Sequence, residues 1–494
     1  MNFRDLLKAR IQRGFHIHSI GPNEARFIFD FTLALGTMLF VYVYAWAFTS
    51  WPLAPLLGVM PLLLVGLNIL LGIYTSKRTA TGKQKAARLV FALALSCVGA
   101  IWLNPRATPL IILWSGLMFA PLILPRILLG LSHGRHRSLI RSVSKDKGPT
   151  LLVGGAGYIG THVIERLLED RRAVRVLDRL MYGLDPVRPF LGHPNFELIT
   201  GDATDIAKLT QAMRDVSAVV HLAGLVGDPA CAVDESFTRQ TNIISTRMIK
   251  DVAQAMGVYR LVFASSCSVY GVSNEEVQEG DPLRPVSLYA KTKVDSEQEL
   301  LASCKDDFFV TILRFATVFG HSRRPRFDLV ANLFTGQGMQ EGLIRIIGPS
   351  QWRPFIHVRD LSYAILAVLK ANPSIVQAQI FNVGHKSLNM TIGELGKRVS
   401  AMVALDRAVK TIVEENASDR RNYAVSFDKI TKMLGYEARE SLESGVQEMI
   451  DHFQKKTYGD YRSPIYSNLA VTREAVQKFK DPEQRRYLYE PLAD

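Results

Sequence analysis

A glycine-rich turn between an apolar run and a helical stretch is the feature that most constrains the fold of this chain. The run ends at Val153, and three glycines follow in the pattern G-x-x-G-x-x-G: Gly154, Gly157 and Gly160. Such glycines permit a tight turn and let a pyrophosphate approach the backbone where a helix starts. Asp178 follows 18 residues after the last glycine, where a carboxylate can accept hydrogen bonds from an adenosine ribose. The pattern predicts a dinucleotide-binding domain in which the acid favours NAD, although the neighbouring Arg179 leaves NADP open.

Short apolar runs alternate with helical stretches from residue 150 onward. The predicted strands are residues 151–153, 174–177, 218–221, 260–264 and 309–313. Alternation of this kind is typical of a parallel sheet covered by helices on both faces. We therefore predict an α/β, doubly wound parallel sheet of the Rossmann type, followed by a smaller α/β subdomain.

The first 148 residues differ from the rest in charge and hydropathy. They hold 17 Lys and Arg against 4 Asp and Glu, whereas the remaining residues hold 42 of each. The same segment contains four apolar stretches, each near the length that crosses a hydrocarbon core of ~30 Å: residues 31–48, 53–74, 86–103 and 108–125. Because the excess positive charge flanks these stretches, the sequence predicts four transmembrane helices and excludes nucleic-acid binding.

Nearly all the basic residues lie in alternate connections of the apolar stretches, so they fall on one side of the membrane. They precede the first stretch, separate the second from the third and follow the fourth, while the other two loops contain only Arg106. The positive-inside rule therefore places both ends of the membrane segment in the cytoplasm. The chain is predicted to start with an amphipathic cytoplasmic segment (1–26), a transmembrane domain (27–131) and a basic linker (132–148). A dinucleotide-binding domain (149–330), a substrate-binding part (331–455) and a C-terminal tail (456–494) follow.

Six further segments, in order along the chain, carry a family resemblance over about residues 149–455. They are Gly201-Asp202, His221-Leu222-Ala223-Gly224, residues 265–271, Tyr289-Ala290-Lys291-Thr292-Lys293, residues 353–360 and Asn382-Val383-Gly384. Together they resemble the extended short-chain dehydrogenase/reductase family, in its NAD-dependent nucleotide-sugar epimerase/dehydratase branch. The resemblance implies NAD as cofactor and a homodimer.

The resemblance also implies which residues contact the cofactor. They are Gly154, Gly157, Tyr158, Ile159, Gly160, Asp178, Asp202, Ala203, Leu222, Ala223, Gly224, Tyr289 and Lys293. No metal is expected, because the four cysteines have no metal-ligand spacing.

Three residue types in the resembling segments can carry the chemistry. Tyr289 and Lys293 lie four apart, on one face of a helix. A phenol is a poor base at neutral pH, and an adjacent ammonium favours its ionised form. Tyr289 can then remove a hydroxyl proton while hydride leaves the same carbon for NAD. Ser266, which matches the catalytic hydroxyl of the family, is expected to hydrogen-bond the reacting oxygen.

Residues beside Ser266 bear on which reaction follows the oxidation. Related 4,6-dehydratases carry Asp-Glu directly after the catalytic residue Thr. Related decarboxylases carry a Glu two residues before the tyrosine that corresponds to Tyr270. This chain has Cys267 and Ser268 there, and neither supplies a carboxylate. We therefore expect a 4-epimerase that oxidises a sugar to a 4-keto intermediate and re-reduces it with bound NAD. The alternatives left open are an NAD(P)-dependent dehydrogenase or reductase of a sugar or hydrophobic alcohol, and a non-catalytic NAD-binding scaffold for glycosyltransferases.

The substrate is expected to be a sugar diphosphate. Arg353 resembles the family arginine that binds the diphosphate, and Arg421 and Asn332 are further candidates. Thr317 stands where many relatives have Asn, which leaves open whether the carrier is a nucleotide or a polyprenyl lipid. Four-span segments before such domains resemble membrane parts of bacterial surface-polysaccharide enzymes. We therefore expect a multi-pass protein of the bacterial inner membrane, in contact with membrane lipid, whose catalytic domain lies in the cytoplasm.

Overall fold

The computed structural model describes residues 148–480 except 306, 416–418 and 420, together with positions 39, 91, 94, 95, 109 and 112. The chain divides into two compact units, Met1–Val143 and Ser144–Asp494. The four predicted membrane stretches fall in the first unit, outside the described residues apart from those isolated positions, and they stay predictions. Within the part of the chain that is described, no helix is both long enough and apolar enough to cross a bilayer.

The second unit contains a large sheet and three small ones. The strands are β1 Thr150–Val153, β2 Val174–Asp178, β3 Phe196–Thr200, β4 Ala218–His221, β5 Arg260–Ser266, β6 Val272–Val277, β7 Phe309–Phe315, β8 Thr317–Phe319, β9 Leu343–Ile347, β10 Trp352–His357, β11 Gln379–Val383, β12 Asn389–Thr391, β13 Lys410–Glu414 and β14 Asn422–Val425. Seven of them form one parallel sheet in the order β11-β7-β5-β4-β1-β2-β3. This confirms the predicted Rossmann-like parallel sheet.

Helices connect these strands. They are α1 Gly160–Glu169, α2 Ile206–Ala212, α3 Asp228–Cys231, α4 Glu235–Arg239, α5 Ser245–Ala255, α6 Leu288–Ala302, α7 Val330–Glu341, α8 Val358–Lys370, α9 Pro373–Val376, α10 Ile392–Val403, α11 Asp428–Leu434, α12 Leu442–Gln454 and α13 Asn468–Lys480. A π-helical turn, Gln240–Ile244, joins α4 to α5.

Both faces of the large sheet are covered, which explains why its strands are almost continuously apolar. Successive side chains of a strand point to opposite faces. Leu152 therefore enters the core that contains residues of α1 and α8, whereas Leu151 and Val153 enter the core that contains residues of α2 and α5.

The smaller part of the domain is built on a separate core. Residues of α7, α10 and α12 form it together with Phe319 and Phe355. The predicted division at residue 330 does not follow the sheet, because β11 lies beyond residue 330 and yet pairs with β7 as an edge strand of the large sheet. The chain thus leaves the large sheet, builds part of the second core and returns.

Candidate active site

One cavity of about 640 Å³ lies at the carboxyl ends of the parallel strands, where open α/β sheets place their ligands. Every residue predicted to contact the cofactor lines it, as do Ser266, Arg353 and Arg421. Asn332 does not. The structure therefore brings the predicted cofactor residues, the predicted catalytic residues and two of the three additional substrate candidates into a single cavity.

The glycine turn needs its glycines for two different reasons. Gly154 has φ +87°, and a Cβ there would lie 2.5 Å from the backbone nitrogen of Ala223. A Cβ on Gly160 would lie 2.3 Å from the carbonyl oxygen of Gly155. Helix α1 starts at this turn with neither a side-chain cap nor an acid in its first turn. The Thr161 amide donates to the carbonyl oxygen of Gly157 at 3.3 Å, and no side chain competes with an anionic ligand at this end of the helix.

Asp178 holds the turn in place from the end of β2. Its carboxylate accepts hydrogen bonds from the amides of Ala156 at 2.9 Å and Leu180 at 2.8 Å. Burial raises the pKa of this carboxyl group. The neighbouring Arg179 forms an ion pair with Asp202 at 3.2 Å, so its charge is already compensated.

The three catalytic candidates line the same cavity, with Ser266 at the end of β5 and Tyr289 in the first turn of α6. Lys293 lies one helical turn further along α6, with Nζ 5.8 Å from the centre of the Tyr289 ring and 2.7 Å from the carbonyl oxygen of Ala264. Burial raises the pKa of the Tyr289 phenol, and the nearby Ser266 hydroxyl opposes this shift. Burial lowers the pKa of Lys293 to about 8.

The two positions where relatives carry acids differ in orientation. Cys267 is buried away from the cavity, and its thiol donates to the carbonyl oxygen of Arg314 at 3.3 Å. Burial raises the pKa of that thiol, so it is not an acid–base group at neutral pH. Ser268 lines the cavity, and its Oγ is buried without a hydrogen-bond partner among the described residues.

Two arginines and two carboxylates form the substrate end of the cavity. Arg353 and Arg421 both pair with Asp419, at 3.0 and 2.5 Å, and Arg421 also lies 3.4 Å from Asp228. Asp228 in addition accepts a hydrogen bond from Ser287 at 2.6 Å. A diphosphate that enters here would compete with these carboxylates for the guanidinium groups. Sequence reasoning missed both acids, because no motif marks them.

Asn332 has a structural role in this geometry. Its side chain is buried, and its Oδ1 accepts from the amide of Gly320 at 3.0 Å. Its Nδ2 donates to the carbonyl oxygen of Arg326 at 2.8 Å and to the Tyr158 hydroxyl at 3.1 Å. The prediction that Asn332 reaches the substrate is therefore not supported, because its polar atoms are used to hold the loop between β8 and α7.

The C-terminal helix α13 contributes to the cavity, which no motif predicted. Asn468 and Phe479 line it, and Asn468 donates to the carbonyl oxygen of Val226 at 3.1 Å. Phe479 packs against Phe237 with ring centres 5.0 Å apart. The same apolar cluster includes Tyr289. The described part of the C-terminal tail thus helps to enclose Tyr289, the predicted catalytic tyrosine.

The parallel sheet, the glycine turn and the Tyr289–Lys293 pair together are typical of one family of dinucleotide-binding enzymes. Residues 150–384 match the family described as the NAD dependent epimerase/dehydratase family. The domain is accordingly of the extended short-chain dehydrogenase/reductase type, and NAD is its cofactor. The site fits this cofactor, because the uncapped start of α1 can receive a pyrophosphate and Asp178 lies at the end of β2.

Relatives with different reactions share this domain. UDP-glucuronic acid decarboxylase 1 of Danio rerio is 28% identical over 321 residues, which cover 63% of this chain and 74% of the relative. UDP-glucose 4-epimerase of Lactobacillus helveticus is 27% identical over 278 residues, which cover 51% of this chain and 82% of the relative. Among solved structures, MoeE5 in complex with UDP-glucuronic acid and NAD has 27% identity and a TM-score of 0.55, covering 63% of this chain and all of that one. The domain at residues 150–384 is thus of the NAD-dependent epimerase/dehydratase type.

Proposed function

We propose that this chain is a membrane-anchored, NAD-dependent sugar 4-epimerase acting on a sugar diphosphate in cell-surface glycan biosynthesis. The observation that carries the proposal is the Ser266, Tyr289 and Lys293 set facing the cavity, without a carboxylate at position 267 or 268. When bound, NAD supplies the hydride acceptor and donor. Tyr289 holds the proton taken from the sugar 4-hydroxyl and returns it when the 4-keto group is reduced, while Ser266 hydrogen-bonds the reacting oxygen.

Two features support a sugar diphosphate as substrate. Arg353 and Arg421 lie at one end of the cavity and can each present a planar guanidinium to phosphate oxygens. The solved relative MoeE5 binds UDP-glucuronic acid. The carrier is a nucleotide or a polyprenyl lipid, and the predicted membrane segment favours the lipid because a soluble substrate does not require one.

A second candidate, a lyase that eliminates water or carbon dioxide after oxidation, is favoured by Asp228. This carboxylate lines the same cavity, and its charge acts on the Tyr289 phenol. It could replace the acids missing at positions 267 and 268. The epimerase stays the preferred proposal, because Asp228 is already held by Arg421 and Ser287.

Product analysis without added NAD distinguishes these reactions. The purified full-length chain would be given UDP-hexoses, UDP-N-acetylhexosamines and polyprenyl-diphosphate N-acetylhexosamine in parallel. A 4-epimer supports the proposal, and the substrate that yields it identifies the carrier. A product 18 mass units lighter would establish the lyase instead, as would a product 44 mass units lighter from UDP-glucuronic acid, which is assayed alongside because loss of carbon dioxide needs a carboxylate. Net reduction of NAD, supplied in a separate assay, would establish a dehydrogenase.

Membrane anchoring is tested separately. After carbonate washing of membranes, the full-length chain is expected in the pellet, whereas a chain that starts at residue 144, the first residue of the second compact unit, is expected in the supernatant. Recovery of the full-length chain in the wash would contradict the predicted spans without affecting the assigned chemistry. A homodimer, expected from the family, is tested by light scattering on the same preparation.

A further inference from the structure

The loop between β8 and α7 carries three arginines in different electrostatic situations. Arg323 is partly exposed and pairs with Glu165 at 2.7 Å, and Arg326 pairs with Asp328 at 2.9 Å. Arg324 lies between them, lines the cavity and is only 4% exposed. Its Nε and Nη2 atoms are buried and have no hydrogen-bond acceptor among the described residues.

The carboxylate nearest in sequence cannot serve Arg324. Asp328 accepts two hydrogen bonds from Arg326, at 2.9 and 3.1 Å, and a third from the amide of Asn468 at 3.0 Å. Asp328 therefore compensates Arg326 alone, and the cluster retains the positive charge of Arg324. A buried guanidinium without a partner is strongly destabilising unless an anion compensates it.

Three contacts place this charge at the cofactor end of the cavity. The Ser322 hydroxyl, on the same loop, donates to the carbonyl oxygen of Tyr158 at 2.7 Å and lies 3.1 Å from the Thr161 hydroxyl. Both contacted residues belong to the glycine turn and the first turn of α1. The Arg324 guanidinium also lies over the ring of Tyr182, 3.7 Å from its centre, and Tyr182 follows Asp178 by four residues.

We propose that Arg324 binds the pyrophosphate of the NAD cofactor, adding a fixed positive charge to the amide groups at the start of α1. A guanidinium matches two phosphate oxygens at once, and its flat contact with Tyr182 limits its rotation. By contrast, the cavity arginines Arg326, Arg353 and Arg421 all have carboxylate partners. This assignment depends on the cofactor and not on which reaction follows.

The test uses cofactor-free full-length protein and compares Arg324→Met with the adjacent Arg323→Met. Calorimetric titration measures the Kd for NAD, ADP, adenosine and UDP. Arg324→Met is expected to weaken NAD and ADP by about 10- to 100-fold, as for loss of a charge-assisted hydrogen bond, and to leave adenosine and UDP unchanged. Arg323→Met is expected to match the wild type for all four ligands, because Arg323 is partly exposed and paired with Glu165.

The amount of NAD that copurifies with each protein gives a second readout. It is expected to fall in Arg324→Met, to recover in part in Arg324→Lys and to be unaffected in Arg323→Met. Equal NAD affinity in Arg324→Met and wild type would overturn the assignment. Equal losses for ADP and adenosine would also overturn it, since a distorted turn and not a missing charge would then be responsible. A loss confined to UDP would assign Arg324 to the substrate.

Discussion

Arg314 and Glu297 form an ion pair of 2.7 Å with both side chains almost completely buried, at 3% and 2% exposure. The pair joins β7 to α6, the helix that carries Tyr289 and Lys293. Glu297 also accepts a hydrogen bond from Ser265, and Arg314 donates to the Tyr270 hydroxyl at 2.9 Å. One buried pair therefore fixes the helix and the loop that together supply the proposed catalytic residues.

Removal of one partner of this pair is expected to destabilise the domain strongly. Glu297→Ala leaves the Arg314 guanidinium buried without its carboxylate, so the free energy of unfolding should fall by about 3–5 kcal/mol. Denaturant titration measures it. Asp295→Ala is the matched control, because Asp295 is an exposed acid on the same helix, and it should unfold almost like the wild type. Similar losses in both variants would contradict the structural role of the buried pair.

Tyr289→Phe removes the proposed proton acceptor without changing the shape of the side chain. We expect kcat to fall by about 10²- to 10⁴-fold, the usual contribution of a general base. The Kd for NAD should stay close to that of the wild type, because the ring still packs in its apolar cluster. Tyr363→Phe, whose ring packs against Arg166, is the control and should retain full activity. Full activity in Tyr289→Phe would refute the mechanism.

Lys293 is expected to make stability depend on pH in the cofactor-free protein. Burial lowers its pKa from the ordinary 10.5 to about 8, so the unfolded chain binds more protons between these values. Stability therefore rises through this range, by about 3 kcal/mol from Lys293 alone. The difference in unfolding free energy between wild type and Lys293→Met is measured from pH 7 to 11. It reports the titration of Lys293 together with that of Cys231, whose charge is coupled to it, while groups distant from Lys293 cancel. A difference that does not change with pH would show that the lysine is not desolvated.

Arg353 is expected to act on substrate binding more than on turnover. Arg353→Gln removes a guanidinium at the substrate end of the cavity, so KM should rise by about 10- to 100-fold, as for a lost charge-assisted hydrogen bond. Arg398→Gln, which breaks a surface pair with Glu443, should have the kinetics of the wild type. Steady-state kinetics with the substrate identified by product analysis gives both constants. A fall in kcat with KM unchanged would mean that Arg353 does not bind the ground-state substrate.

Local patterns were sufficient to predict the cofactor half of the site. The turn from Gly154 to Gly160, the acid at the end of β2 and the Tyr289–Lys293 spacing each lie within one or two adjacent elements. Their geometry follows from strand and helix periods, and so they could be predicted from the residues and from family resemblance. The parallel sheet was predictable for the same reason, although its edge strand β11 was assigned to the other part of the chain.

Contacts between distant segments decided the rest. Asn332 was assigned to the substrate by its position in a motif, yet its amide holds Gly320, Tyr158 and Arg326. Asp419 and helix α13 also line the cavity. Both follow the last strand of the large sheet in the sequence, so no strand or motif of the dinucleotide-binding pattern marks them. Residue types and spacing therefore determined the fold and its cofactor, because these depend on short-range periodicity. Only the tertiary structure decided which polar side chains face the cavity and which are used to hold it, because that depends on the groups that folding brings beside them.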